Sequence, residues 1–161
     1  MADLLIREIE QEMKATREML SRVPSDNHDW KPHERSMSLG ALARHLAMIP
    51  LRVKVVLDEG VFDLAKALPG ASDGSASLVE LFDQNMAAVR TTIEVIDDEA
   101  MRERVPFVRD GKQLRELPRA SLIRAILMNH TYHHRGQMSV YLRLLDVPVP
   151  ATYGTSADEG M

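Results

Sequence analysis

The stretch P-R-A-S-L-I-R-A-I-L-M-N-H-T-Y-H-H-R-G-Q-M-S-V-Y-L-R-L-L, residues 118–145, decides the predicted fold. Its apolar residues recur every three or four positions, which is the pattern of a helix with one buried face. Pro118 suits the first turn of such a helix. The helix is expected to end near Asp146, because Pro148 and Pro150 cannot continue it.

Three earlier segments share this periodicity, and they cover roughly residues 3–22, 38–58 and 77–97. Between the third and fourth helices, V-P-F-V-R-D-G-K-Q-L contains Asp110-Gly111, a favourable two-residue hairpin turn. This segment could be a small hairpin or an ordered loop. Because strand signal is otherwise weak, the sequence predicts an all-α fold, an antiparallel four-helix bundle. We expect one domain over residues 1–161, since this length suits one ordinary domain.

The helix boundaries follow from local residues. The first helix should end before Pro24, because the residue preceding a proline is disfavoured in helical geometry. Ser38 is a plausible N-cap of the second helix, and Ser36 would also serve. Pro50 lies inside that helix and predicts a kink or a break. A loop rich in Pro, Gly, Ala and Ser, residues 67–77, leads to the third helix.

Composition and charge argue against several functional classes. The formal net charge is −4 with no long basic block, whereas nucleic-acid binding usually leaves a basic footprint. No apolar run approaches the ~20 residues needed to cross a bilayer, so we expect no membrane association. Cysteine is absent, which excludes disulfides and thiolate metal ligands. A cytoplasmic location is the default expectation.

Helical geometry indicates which of the six histidines face the core. At 3.6 residues per turn, each residue rotates by about 100°. Ile123 and Tyr141 then lie about 20° from His130, so His130 sits near the centre of the apolar stripe. His134 lies about 40° to one side and His133 about 60° to the other. Side chains four residues apart are neighbours, so His130 and His134 can converge on one point, as in H-x-x-x-H metal sites.

A third inward histidine comes from the second helix. His45 stands three residues after Leu42 and four before Ile49, so it also faces the bundle. The three neutral imidazoles of His45, His130 and His134 would form a facial nitrogen set with coordination positions left open. Nitrogen donors without thiolate suit Zn, Ni, Fe, Co or Cu.

Other polar residues have simpler interpretations or open alternatives. His28 and His33 lie in a polar connector and are expected to be solvated. His133 could replace His134 as a ligand, although its larger angle from the stripe makes it the weaker choice. Gln137 could be a weak fourth ligand of the metal, or it could be an outer residue that contacts one of the ligands. A lone inward histidine is more often a core residue than a ligand, so the hypothesis depends on the set.

Three motifs carry a resemblance to a known family. They are W-K-P with S-M-S-L-G-A-L-A-R-H-L in residues 30–46, N-H-T-Y-H-H-R-G-Q at 129–137, and Y-L-R-L-L-D-V-P-V-P-A-T-Y-G-T-S-A-D-E at 141–159. In order and spacing the chain resembles the DinB-like (DinB/YfiT) family. The resemblance implies an up-down-down-up bundle in which three histidines bind a divalent metal, typically nickel or zinc. Carried over by position, these are His45, His130 and His134.

The resemblance also indicates a class of reaction. The superfamily includes transferases and isomerases that use low-molecular-weight thiols such as mycothiol or bacillithiol, and homodimers are frequent in it. We therefore expect a metal-activated thiol (S-)transferase, or related chemistry, acting on a small electrophilic substrate. A metal-dependent hydrolase is the alternative within the enzyme class. A non-catalytic, stress-related metal-binding bundle is the alternative outside it.

The residues around the predicted site favour activation by the metal itself. The zinc-protease base of H-E-x-x-H is missing, and no inward carboxylate stands out on the fourth helix. Tyr141 and Tyr153 are candidate catalytic donors to a developing charge. The tail that contains Tyr153 could fold over the site or be a frayed terminus. An open position facing a cavity would favour an enzyme, whereas a fourth protein ligand and no cavity would favour a structural site.

Overall fold

The computed structural model describes residues 2–66 and 77–160. Its helices, in chain order, are α1 Ala2–Ser21, α2 Leu39–Glu59, α3 Leu78–Glu94, α4 Arg119–Leu122 and α5 His130–Leu144. A π-helical segment, Ile123–Asn129, joins α4 directly to α5. Short 3₁₀ turns occur at Ser25–Asn27 and Ala100–Arg102. The expected loop at 67–77 lies almost wholly outside the described residues.

The predicted helix boundaries agree closely with those observed. The Ser38 hydroxyl accepts a hydrogen bond from the Ala41 N–H at 3.2 Å, so Ser38 rather than Ser36 caps α2. Gly60 ends α2 with a φ of 67°, a left-handed conformation that glycine adopts readily. The helix runs through Pro50 without a break. The last helical stretch begins at Arg119, because Pro118 is the final residue of a strand.

The helices form a bundle in which α1 and α2 each pack against both α3 and α5. α2 packs against α3 on one side and against α5 and the π-helical segment on the other. α1 packs against α3 and α5. The core between them is mostly apolar, and Leu46, Val53, Val89, Leu127 and Leu142 are 0% exposed. The packing of these amphipathic faces stabilises helices that would be marginal alone.

The all-α prediction is wrong, because the described residues contain a three-stranded mixed sheet. Its strands are β1 Phe62–Asp63, β2 Arg104–Arg109 and β3 Lys112–Pro118, in the spatial order β1-β2-β3. β1 runs parallel to β2, and β2 and β3 form an antiparallel hairpin. A two-residue strand that pairs with a segment more than forty positions away leaves no periodic pattern in the sequence.

The hairpin settles one alternative that the sequence left open. Asp110 and Gly111 form its turn with φ values of 50° and 74°, as a type I′ turn requires. Val105 and Phe107 point from β2 into the core, and both are almost fully buried. The sheet therefore belongs to the packed body of the protein and covers one part of the bundle.

Two further points concern membrane-spanning helices and the domain organisation. Within residues 2–66 and 77–160, no helix combines the length and apolarity that crossing a membrane requires. The single-domain organisation over residues 1–161 stays a prediction.

Candidate metal centre

The structure brings the three predicted histidines together. His45 extends from the second turn of α2, and His130 and His134 extend from the first two turns of α5. The Nε2 atom of His130 lies 2.9 Å from Nε2 of His45 and 3.2 Å from Nε2 of His134. One potential ligand atom from each ring lies within 4.8 Å of the others. The three rings could hold a metal ion.

The nitrogen separations fit a shared divalent cation. With Zn–N bonds of about 2.0–2.1 Å, two ligand nitrogens lie about 2.8–3.4 Å apart for bond angles between 90° and 109°. The two Nε2–Nε2 distances of 2.9 and 3.2 Å fall within this range. A cation among three converging lone pairs would also remove the repulsion between them.

The ring of His134 is oriented by a neighbouring amide. Gln137 Oε1 lies 2.7 Å from His134 Nδ1, one turn further along α5. Because an amide oxygen only accepts, Nδ1–H of the ring donates to it, which leaves the lone pair on Nε2. The structure thus places Gln137 on the outer nitrogen of His134. That is the position of a partner that orients a ligand, not of a fourth ligand.

Burial keeps the three imidazoles neutral. Loss of solvation, together with the nearby rings of His134 and His130 and the charge of Arg52, lowers the pKa of His45 from 6.5 to about 4. Burial likewise lowers the pKa of His130. It also lowers the pKa of His134, although the hydrogen bond with Gln137 opposes the change. A neutral imidazole is the form that binds a metal, so the set is ready to bind near neutral pH.

The π-helical segment changes the angle between Ile123 and His130 from the one that the sequence predicts. The His130 N–H donates to the carbonyl of Ala125, five residues earlier, so the backbone is wider just before the first histidine. The 100° rotation therefore does not hold between Ile123 and His130. It holds between His130 and His134, since both lie in α5. The pair depends only on this regular part of the helix.

The other histidines lie outside the set. His133 is exposed, and its ring centroid is 4.9 Å from that of His134. His28 and His33 are exposed in the connector between α1 and α2, as the sequence predicted. Within the described residues, the group of histidines and carboxylates that could hold an ion contains His45, His130 and His134 and no further member.

The two tyrosines predicted as catalytic donors make contacts elsewhere. Tyr141 is 8% exposed, its hydroxyl donates to the Met37 carbonyl at 3.3 Å, and its ring meets Trp30 edge to face. The Tyr153 hydroxyl lies 2.6 Å from both Arg135 and Glu12. The Tyr153 contacts anchor the tail against α1 and α5, and the Tyr141 contacts join α5 to the connector between α1 and α2. Their catalytic roles stay predictions.

A cavity of ≈ 550 Å³ opens beside two of the three histidines. His45 and His130 line one side of it, together with Met48 and Ile49 of α2. The sheet and the residue directly after β1 form the other side, and the residues there that face the cavity are Phe62, Leu64, Phe107, Leu114 and Arg115. The volume lies within the range of pockets that bind small molecules, about 300–1,000 Å³.

Sequence reasoning missed the sheet side of this cavity. Phe62, Phe107 and Arg115 are paired across the three strands, so they lie in one row on the same face. The pairing register shifts between Phe107 and Val108, which leaves Leu114 as an extra residue in β3. This β-bulge allows Leu114 and Arg115, neighbours in sequence, to line the same cavity. The V-P-F-V-R-D-G-K-Q-L hairpin signal was the only available indication.

Comparisons with known proteins agree with this architecture. The sequence matches the DinB family over residues 1–160. A DinB-like protein of Bacillus subtilis, YjoA, has a TM-score of 0.72 and 20% identity, and the alignment covers 92% of this chain and 96% of that one. A DinB-like protein of Bacillus cereus also has a TM-score of 0.72, with 19% identity and coverage of 91% and 94%. At these identities, the two crystal structures show a shared fold.

A relative in sequence extends the comparison over a shorter stretch. The uncharacterized protein YrdA of Bacillus subtilis is 39% identical over 62 residues. The match covers 38% of this chain and 34% of YrdA, so it spans about a third of that relative's length.

The fold and the histidine set define a helical bundle protein with a site that could hold a metal ion. By its match over residues 1–160, the chain belongs to the DinB family.

Proposed function

We propose that the protein is a divalent-metal-dependent enzyme that activates a thiol for transfer to a small electrophilic substrate. Zinc or nickel at His45, His130 and His134 is part of this proposal. The observation that carries it is the cavity of ≈ 550 Å³ beside His45 and His130. A structural site would normally be closed by a fourth protein ligand. Three histidines of the described residues could hold the ion, and a cavity adjoins two of them.

The chemistry would depend on the cation, and the chain would prepare its surroundings. A divalent ion with an open position lowers the pKa of a bound thiol or water, so a nucleophile is available near neutral pH. Gln137 holds the ring of His134 in the tautomer that presents Nε2. The lowered pKa of His45 keeps its ring neutral and able to bind.

The lining of the cavity supports activation by the cation over activation by a side-chain base. No carboxylate of the described residues lines the cavity. A general base must lie within hydrogen-bond reach of the proton that it removes. The walls formed by Met48, Ile49, Phe62 and Phe107 are apolar and restrict water around the reacting groups. The cavity lining would therefore bind the substrate and exclude water, and the cation held by the histidine set would activate the nucleophile.

The first experiment tests metal binding by elemental analysis of purified protein. The single variants His45→Ala and His130→Ala should lose stoichiometric metal, because two imidazoles rarely suffice for a stable site. His133→Ala is the matched control, since His133 is exposed and lies next to the set. Wild-type metal content in both ligand variants would refute the site, and loss of metal in His133→Ala would reassign the ligand.

The second experiment tests the reaction class. Zinc- and nickel-loaded protein should be assayed with several cellular thiols against a panel of small electrophiles, with an ester and an amide as hydrolase substrates. We expect thiol-dependent consumption of an electrophile that is absent in His130→Ala. Turnover of the ester or amide without any thiol-dependent reaction would support a hydrolase. No turnover by metal-loaded protein in any arm would favour a non-catalytic metal-binding bundle.

The proposal also includes the oligomeric state and the location of the protein. We propose a homodimer acting on a small molecule in the cytoplasm, because homodimers are frequent in the superfamily that the sequence resembles. Light scattering during size-exclusion chromatography would measure the mass of the assembly, and a mass of 18.1 kDa would correspond to a monomer.

A further inference from the structure

Two arginines face the cavity beside the histidine set, although the remainder of its lining is mostly apolar. Arg52 belongs to α2 and Arg115 belongs to β3. Arg52 is half-buried and Arg115 is exposed. A cationic group at the wall of a largely apolar cavity is a specific feature, since a few placed polar groups usually orient a ligand there.

Neither guanidinium is neutralised by the part of the chain that the structure describes. Within residues 2–66 and 77–160, no carboxylate lies within 4.0 Å of the nitrogens of Arg52 or Arg115. Nη1 of Arg52 instead donates to the backbone carbonyl of Lys66 at 2.7 Å. The guanidinium of Arg115 lies over the ring of Phe107, with its carbon 4.6 Å from the ring centroid. These contacts hold both groups in place and leave their charge available.

The position of Arg52 relative to the histidine set follows from helix geometry. His45 and Arg52 are seven residues apart, so they lie on the same face of α2. Seven residues correspond to about 10 Å along the helix axis. A molecule with a short apolar body could therefore contact the set at one end and Arg52 at the other.

Arg115 reaches the same cavity from the sheet. It is paired with Phe107 in the strand register, and the bulge at Leu114 sets the direction of this part of β3. The aromatic ring fixes the planar guanidinium, whose fork of N–H donors suits carboxylate and phosphate oxygens. Lysine could supply the charge but not this geometry.

We infer that Arg52 and Arg115 bind the anionic end of a substrate whose apolar body lies against Phe62 and Phe107. The substrate class is thus a short apolar molecule with a terminal carboxylate or phosphate. This inference rests on the proposed function, because it assigns the cavity beside the histidine set to the substrate. Arg52 and Arg115 are binding residues that set specificity, and they take no part in forming the nucleophile.

The test measures binding directly and does not depend on turnover. Hexanoate, hexyl phosphate and the neutral hexanamide are titrated into metal-loaded wild-type protein by calorimetry. We expect at least one anion to bind about tenfold or more tightly than hexanamide, as charged hydrogen bonds typically contribute. The anion that binds more tightly identifies the class. Equal affinity for all three probes, or no binding of either anion, would overturn the inference.

Variants then locate the anion. Arg52→Gln and Arg115→Gln should each weaken anion binding about tenfold or more and leave hexanamide unaffected. Arg115→Lys should retain part of the affinity, because it keeps the charge but loses the planar fork. Arg109→Gln is the matched control, since Arg109 is an exposed arginine of the same hairpin that does not line the cavity. Unchanged anion binding in both glutamine variants would overturn the inference.

Metal content separates this inference from the proposed function. Both glutamine variants should keep wild-type metal, and loss of metal would make the arginine a support of the histidine set, contrary to the inference. His134→Ala is informative because His134 does not line the cavity. Anion binding that persists in His134→Ala would support the arginines as the binding site. If His134→Ala loses anion binding while the arginine variants keep it, the anion binds to the cation instead. Anion binding without thiol turnover would leave this inference standing and remove the proposed chemistry.

Discussion

Replacement of His45 tests the physical state of the histidine set in the metal-free protein. The ring of His45 is half-buried, and burial with neighbouring positive charge lowers its pKa from 6.5 to about 4. An unfolded chain takes up a proton on this ring below about pH 6.5, but the folded chain resists it until about pH 4. Between these values the unfolded state binds more protons, so stability is present above pH 6.5 and is lost as the pH falls.

The size of the effect follows from the same pKa difference. Each unit of difference between the folded and unfolded pKa corresponds to about 1.4 kcal/mol. The fall from 6.5 to about 4 sets an upper value of roughly 3.5 kcal/mol. Solvent that still reaches part of the ring reduces this, and we expect about 2 kcal/mol from His45 between pH 7 and pH 4.5. His130 and His134 act in the same direction, because burial lowers their pKa values too.

The assay is urea unfolding of chelator-treated protein, followed by circular dichroism at several pH values. Wild-type protein should lose about 2 kcal/mol more unfolding free energy than His45→Gln between pH 7 and pH 4.5. His33→Gln is the control, since His33 is exposed in the connector and lies outside the histidine set. Parallel pH curves for wild type and His45→Gln would refute the reasoning, because they would mean that folding does not resist protonation of this ring.

Three further substitutions test packing at two glycines and the buried ion pair. Gly40→Ala should lower the free energy of unfolding by about 1–3 kcal/mol, because its Cβ would meet the Cβ of His28 at 2.9 Å. Gly136→Ala meets nothing within 4 Å in the last helix and should raise it by about 0.5–1 kcal/mol; equal denaturation midpoints for the two variants would contradict this. Arg135→Met should cost about 3 kcal/mol and lower the melting temperature by roughly 6–12 °C, because the buried guanidinium binds the carboxylate and the backbone carbonyl of Glu12. A loss below 1 kcal/mol in thermal unfolding would show that this pair is not a stabilising contact.

The sequence determined the features of this protein that depend on neighbouring residues. Helical periodicity arises within one turn or two, so the extents of α1, α2 and α3 could be predicted closely from it. The convergence of His130 and His134 depends on a four-residue separation in one regular helix. His45 could be added because its apolar neighbours showed that it faces the core.

The tertiary structure alone decided the features that depend on distant pairing. β1 contains two residues and exists only because Phe62 pairs with Phe107, so no local sequence pattern predicts it. The cavity, and the presence of both Arg52 and Arg115 in its wall, depend on where that sheet covers the bundle. The position of Tyr153 against Arg135 likewise depends on the path of the tail across α5. Contacts between residues far apart in sequence are set by the packing of whole elements. The periodicity of one sequence does not predict them.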